Sequence, residues 1–205
     1  MIHYIIPARA GSKGFSGKNR ILLKEAYIPQ TCTVYTDDLK IKEYCKHNGI
    51  SYAHRPKEVS EDTTSTKDTV KRFIKDYKIP SDDIIVLLYL TYPERTASDI
   101  YKCLEFFEKT KAKSLLCKKP VAVSPFLTLM KKGDFGGQQL VTHDYYRRQD
   151  YPECFEISHF VSIFLAGEVE SLNSNLYNKD TVFYPIEEKV DVDHIEDYEH
   201  YKNHR

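Results

Sequence analysis

The sequence predicts an α/β fold built on a mostly parallel sheet, and three observations lead there. Short apolar runs at residues 3–7, 32–35, 51–54, 84–88 and 114–117 are bounded by turn residues and alternate with stretches whose apolar positions recur at helical spacing. The run Ile84-Ile85-Val86-Leu87-Leu88 is the most apolar in the chain, as a strand covered on both faces must be, and reads as the central parallel strand. The first run ends in a glycine-punctuated basic loop, and ligands of open α/β sheets bind at the carboxyl ends of strands. A length of 205 residues suits a single domain, residues 1–205, with one excursion.

Thirty basic and thirty acidic residues cancel. No long-range field therefore favours nucleic acid or an anionic membrane, and any anion site must be local. Cys32, Cys45, Cys103, Cys117 and Cys154 are odd in number and scattered, without Cys-x-x-Cys pairs, which suits reduced thiols rather than a disulfide framework or a zinc site. No apolar run approaches membrane-spanning length and no leader pattern opens the chain, so the expected location is cytoplasmic.

The first strand passes directly into Ala8-Arg9-Ala10-Gly11-Ser12-Lys13-Gly14, with Gly17-Lys18-Asn19 beyond. Glycine frees backbone N–H groups to form a concave nest for phosphate oxygens, and Arg9, Lys13 and Lys18 would neutralise a polyphosphate from three sides. A solvated turn is the plainer reading of a generic Gly-x-x-Gly segment, and no Gly-Lys-Ser/Thr opens a helix here as a Walker loop requires. Residues 18–29 are too few for a full amphipathic helix before the second strand, which predicts a minimal first crossover.

The second strand runs into Asp37-Asp38, read as a helix cap rather than as catalytic carboxylates. Leu39, Ile41, Tyr44 and Cys45 then mark a helix that Asn48-Gly49 stops. After the strand at 51–54 come Arg55-Pro56 and the hydroxyl-rich residues 60–66, where Ser65 or Thr66 can cap the helix of Val70, Phe73, Ile74 and Tyr77. The central strand leads to Tyr89-Leu90-Thr91-Tyr92-Pro93-Glu94-Arg95, and Thr96 with Asp99 makes a capping-box start for the helix through Ile100, Cys103, Leu104, Phe106 and Phe107.

From about 118 to 157 the pattern loosens into short β-like pieces with turns at Gly133 and Gly136-Gly137, too poor in apolar residues for a core of their own. Residues 160–165 and 182–185 supply further strands. Val190-Asp191-Val192-Asp193 then alternates with period two, which puts both carboxylates on one face, ahead of a short helix at 195–201. Carboxylates so placed are the hard oxygen ligands Mg²⁺ takes together with substrate phosphates. Alone, an Asp-x-Asp is solvent-facing or helix-capping; read with the basic opening loop, Asp191 and Asp193 become a metal site. His143, His159 and His194 show no His-x-x-x-His spacing and read as structural or incidental.

In the same order along the chain, the opening loop with Lys18-Asn19, Thr36-Asp37-Asp38, Arg55-Pro56 with Asp62-Thr63, Thr91-x-Pro93-x-Arg95, Arg148-Gln149-Asp150 and Asp191-x-Asp193 resemble the signature segments of the CMP-sialic acid synthetases. These are cytidylyltransferases that activate nonulosonic acids. The resemblance implies a three-layer, mostly parallel sheet of the nucleotide-diphospho-sugar-transferase, Rossmann-like kind. It also implies a small dimerisation arm at 118–157 that crosses to the second subunit of a homodimer. CTP would be the co-substrate and an acidic keto-sugar the acceptor. Arg9, Ser12, Lys13 and Lys18 would hold the triphosphate and Asn19 would support the nucleotide. Arg55, Thr64 and Thr66 would lie around the cytosine, a role that stands beside the loop-and-cap reading of that segment. Asp191 and Asp193 would hold Mg²⁺, and Arg9, Lys13, Lys18, Asp191 and Asp193 together would carry catalysis by positioning and charge neutralisation.

On the acceptor side the same resemblance implies Tyr89, Arg95, Arg148 and Gln149. An arginine at 148 suits a carboxylated substrate, and surface pairing with Asp144 or Asp150 is its plainer reading. The chain departs from the family in its short first crossover, in Tyr89 and Tyr92 where the family has glutamine and serine, and in Ser158-His159 where it has Asn-Gly. These departures keep open a second reading, a catalytically altered homologue that binds nucleotide or sugar as a dimer.

Overall fold

The structure, a computed structural model, describes residues 1–11 and 15–204. Seven strands form one sheet: β1 (Ile2–Pro7), β2 (Thr33–Thr36), β3 (Ser51–His54), β4 (Ile84–Leu87), β5 (Ser114–Pro120), β8 (Phe155–Leu165) and β9 (Val182–Pro185). Their order is β3-β2-β1-β4-β8-β5-β9, and among the described residues β6 (Leu129–Lys132) pairs only with β7 (Gly136–Gln139). β3, β2, β1 and β4 run parallel, as do β5 and β9, whereas β8 is antiparallel to both β4 and β5. The sheet is thus mostly parallel, as expected.

Pleating sends alternate side chains to opposite faces, and two apolar layers result. Ile6, Val34, Val86, Leu115 and Ile163 face α2 (Leu39–His47), α4 (Ala97–Thr110) and α5 (Ile195–Asn203) through Ile41, Cys45, Ile100, Cys103, Phe107 and Tyr201. Their neighbours Ile5, Tyr35, Ile85, Leu87 and Phe164 pack on the other face against Val70 and Phe73 of α3 (Thr66–Asp76) and the segment containing Val169, Leu172 and Leu176. That is a three-layer arrangement. All five cysteines are free thiols, four of them buried.

Helix ends follow the capping chemistry. Asp38 caps α2, its carboxylate accepting from the backbone N–H groups of Lys40 at 2.9 Å and Ile41 at 3.4 Å, and Gly49 follows that helix in the left-handed region at φ +65. Ser65, not Thr66, caps α3, and Thr96 with Asp99 forms the capping box of α4. The first crossover is minimal: α1 (Lys18–Leu22) is a helix of 5 residues.

The irregular arm lies between β5 and β8. Its start overlaps β5, which extends to Pro120, and its end overlaps β8, which begins at Phe155 rather than near 160. The longer β8 arises because Phe155–Ser158 pairs with Cys117–Pro120 beyond a register shift between Leu115 and Cys117. The β6–β7 hairpin is wholly exposed, and the arm is held by stacked rings. Phe126 lies 5.5 Å from Tyr151, His143 lies 5.4 Å from Tyr145, and the His143 ring bonds the Phe126 carbonyl at 2.8 Å. His143 is therefore structural.

Because β8 joins the two halves of the sheet and Phe164 is fully buried in it, Phe164→Ala is expected to cost about 3–5 kcal/mol of stability. Urea unfolding monitored by circular dichroism should give a lower midpoint with an unchanged m value.

Candidate active site

β1 is hydrogen-bonded to β2 on one side and to β4 on the other, with Ile5 opposite both Thr33 and Leu87. The chain thus leaves β1 toward one edge and returns beyond it at β4. The loops after β1 and β4 diverge at such a switch point and open a crevice at the carboxyl ends of the strands. A cleft of about 640 Å³ lies there. It is lined by Arg9, Lys18 and Asn19 from the start of the chain, by Arg55, Thr64 and Thr66 from the β3–α3 connection, and by Tyr89, Thr91 and Tyr92 after β4. His159 of β8 and, from the end of the chain, Asp191, Asp193 and His194 complete this set. Residues far apart in sequence meet because every parallel strand contributes its carboxyl end to one edge.

The basic side of the cleft is anchored from below. Asn19 donates its side-chain N–H to the Arg9 carbonyl at 3.0 Å, and the Ala10 N–H donates to Asp37 Oδ1 at 2.9 Å. Asp37 therefore tethers the opening loop, while its neighbour Asp38 caps α2 and accepts from Arg20 Nε at 2.6 Å. Arg9 is ion-paired with Asp62, and Lys18 Nζ with Asp193 Oδ1 at 2.7 Å. Both cations are thus held by carboxylates.

Opposite them the acidic segment is coil rather than a strand, yet the expected alternation holds: Val192 is buried, and Asp191 and Asp193 are exposed. The Val192 N–H donates to the Thr91 carbonyl at 2.8 Å. Asp197 draws the segment onto α5 by accepting from the backbone N–H groups of Asp193 at 2.9 Å and His194 at 2.7 Å. The His194 bond, chiefly, holds the Asp197 carboxyl below its ordinary value.

Two phenols and an imidazole form the remaining wall. Tyr89 and His159 face each other with ring centroids 5.6 Å apart. Burial pushes the Tyr89 phenol up to about 12 against the opposing effect of its hydrogen bond with Thr66. Burial likewise lowers His159 despite the opposing effect of the nearby Asp191 charge. Tyr92 lines the cleft with its hydroxyl already engaged, donating to Asp191 Oδ2 at 2.8 Å. Burial and then the Asp191 charge raise its phenol, which keeps the donor proton in place.

Not every expected site residue lies in the cleft. Arg95, expected on the acceptor side, is 1 % exposed and donates from Nη1 to the Phe160 carbonyl at 2.9 Å. It ties the post-β4 loop to β8, and burial lowers its guanidinium to about 10. Arg55 reaches the cleft but is itself buried, bonding the Val59 carbonyl at 2.7 Å and Thr69 Oγ1 at 3.0 Å, so it also braces the turn ahead of α3. Arg148 and Gln149 are exposed on a short turn of the arm, outside the cleft. Arg147, not Arg148, pairs with Asp150. Ser12 and Lys13 lie outside the described residues. Conversely, Asp62 and His159 line the cleft without having been selected from sequence. Only the alternation of β8, which turns His159 away from the core residue Phe160, would have pointed to the latter.

Among the described residues no group of three or more His, Cys, Asp or Glu side chains gathers as a metal cage. The donor set present is the exposed carboxylate pair Asp191 and Asp193, facing basic groups suited to phosphate. That fits Mg²⁺, which binds through one or two carboxylates and completes its shell with water and substrate phosphate.

No family model matches the chain. Curated proteins do. The N-acylneuraminate cytidylyltransferase of Streptococcus agalactiae serotype III (strain NEM316) is 28% identical over 220 aligned positions that include 98% of this chain and 52% of the relative. The chain thus spans about half the length of that relative. The post-translational flagellin modification protein B of Campylobacter coli is 24% identical, with 92% of this chain and 87% of that protein covered. Among solved structures, CMP:2-keto-3-deoxy-manno-octonic acid synthetase complexed with CTP superposes with a TM-score of 0.67 at 12% identity, covering 98% of this chain and 97% of its own. The 2-C-methyl-D-erythritol 4-phosphate cytidylyltransferase of Francisella tularensis gives 0.64 at 12% identity, covering 100% and 99%. These structures establish the fold as that of the cytidylyltransferases. No helix among the described residues is long and apolar enough to cross a membrane. The chain thus shares its fold with these cytidylyltransferases, and over 98% of its length it is similar in sequence to the N-acylneuraminate cytidylyltransferase, of which it spans about half.

Proposed function

We propose that the protein is a CTP-dependent nucleotidyltransferase that activates an acidic keto-sugar, a sialic acid or related nonulosonic acid. The anomeric hydroxyl attacks the α-phosphate of CTP and gives up its proton to solvent, the new P–O bond forms as the α–β bridge breaks, and a CMP-sugar and pyrophosphate leave. The single observation that carries this reading is the convergence of Arg9, Lys18 and Asn19 with Asp191 and Asp193 on one cleft. A polyphosphate needs the first group and a phosphate-bound divalent cation the second.

In this reading Arg9 and Lys18 exchange their carboxylate partners for triphosphate oxygens, with Ser12 and Lys13 of the same loop assisting. Asn19 keeps the Arg9 backbone in place. Thr64 and Thr66 offer hydroxyls to the base, and Arg55 stiffens the turn that carries them. Asp191 and Asp193 would hold Mg²⁺, which when bound supplies charge neutralisation on the transferring phosphate. The Tyr89–His159 wall receives the acceptor by ring contact and single hydrogen bonds in place of a carboxamide. A purely binding role has less support, since a binder has no need of paired carboxylates opposite a phosphate site.

The working assembly is a homodimer in the cytoplasm. Val123, Leu127 and Leu129 of the arm are 67%, 51% and 63% exposed, an apolar surface that a second copy would cover. The same pairing would bring Arg148 and Gln149 to the partner's cleft.

Pyrophosphate release assayed with each nucleoside triphosphate, Mg²⁺ and a panel of nonulosonic and deoxyoctulosonic acids tests the activity. Release with CTP and one acid is expected, and none with any pair would leave the binding role. Asp191→Ala should lower kcat at least about 100-fold with an unchanged circular dichroism spectrum; wild-type turnover would remove the metal assignment. The double variant Val123→Asp, Leu127→Asp should sediment as a monomer where the parent sediments as a dimer.

A further inference from the structure

Three hydrogen bonds run in one direction toward the acidic segment. The Phe160 N–H donates to Ser158 Oγ at 3.3 Å, Ser158 Oγ donates to the Tyr92 hydroxyl at 3.4 Å, and Tyr92 donates to Asp191 Oδ2 at 2.8 Å. We propose that Tyr92 is the positioning residue for Asp191, holding that carboxylate in one orientation toward a divalent cation through a chain that begins at Ser158. The proposal deepens the cytidylyltransferase reading above and rests on it.

Each link is set by rigid structure. Tyr92 is 6% exposed and Ser158 3%, and the Tyr92 ring packs edge-on against Phe160 with centroids 5.5 Å apart at 88°. Ring packing therefore fixes where the hydroxyl sits. Because Ser158 donates to the Tyr92 oxygen, the phenolic hydrogen is left to point at Asp191. The backbone agrees: Val192, next to Asp191, is tied to the carbonyl of Thr91, next to Tyr92. Side chain and main chain together fix both ends of the aspartate.

The two carboxylates are held differently. Asp193 is paired with Lys18, a cation that partly neutralises it and competes with a metal ion for the same carboxylate. Asp191 is held by a neutral donor, which orients it without cancelling its charge, and the bond engages Oδ2, leaving Oδ1 for a cation. Outer groups of this kind commonly change metal affinity 10–100-fold when removed. The alternative role for Tyr92 is direct contact with the acceptor sugar.

Calorimetric titration of CTP into the full chain, with Mn²⁺ and with EDTA, yields the ratio of the two affinities as a measure of metal coupling. Tyr92→Phe, which keeps the ring and deletes one hydroxyl, should lower that ratio about 10-fold or more while leaving metal-free CTP binding and the sugar KM unchanged. Ser158→Ala should lower it less, and it tests the same chain should Tyr92→Phe fold poorly. An unchanged ratio in both variants, or a raised sugar KM alone, overturns the proposal. Asp191→Ala separates this from failure of the underlying reading: a ratio that survives in Asp191→Ala means that the carboxylate holds no metal, whatever Tyr92 does.

Discussion

The hydrogen bond from the Val192 N–H to the Thr91 carbonyl is the constraint on which the site depends. It fastens a coil segment near the end of the chain to the loop that leaves the central strand. Burial of the Val192 side chain makes the attachment one-sided, because rotating the segment would expose an apolar residue and bury carboxylates. Asp191 and Asp193 are thereby left on the cleft face. Asp197 supplies the second fastening, anchoring the segment to the first turn of α5.

In a chain whose total charge is zero, two cations of the cleft are paired locally. Arg9 meets Asp62 and Lys18 meets Asp193, while Asp191, held by the neutral Tyr92 hydroxyl, keeps its charge. The aromatic side adds no charge: the phenols of Tyr89 and Tyr92 are raised and the imidazole of His159 is lowered, in each case mainly by burial. The charged and the aromatic sides of the cleft are thereby chemically distinct.

Antiparallel β8 is what joins the two. Its direction carries Ser158 and His159 past Leu87, alongside the residues that follow β4. A parallel strand in the same place would carry its carboxyl end there instead. Arg95 locks this arrangement by bonding the Phe160 carbonyl from the buried side. The residue expected from sequence to touch substrate is in this way a brace for the strand that does line the cleft.

The sequence by itself determined most of the strands, the capped helices and the minimal first crossover. Period-two burial, helical spacing and cap chemistry are local and legible from their own neighbourhoods, whereas Arg9, Lys18 and Asn19 were joined to Asp191 and Asp193 only by reading two distant segments together and by the family resemblance. Tertiary structure decided what no local pattern encodes: that Arg95 turns into the core, that Arg148 and Gln149 stand out on the arm, and that Tyr92 points at Asp191 across 99 positions of sequence. It also decided that β8 runs antiparallel and brings His159 into the cleft. The physical reason is the same throughout. The direction of a side chain at a strand's end is set by the strand beside it, and adjacency in a sheet follows from the whole topology rather than from any one stretch of chain.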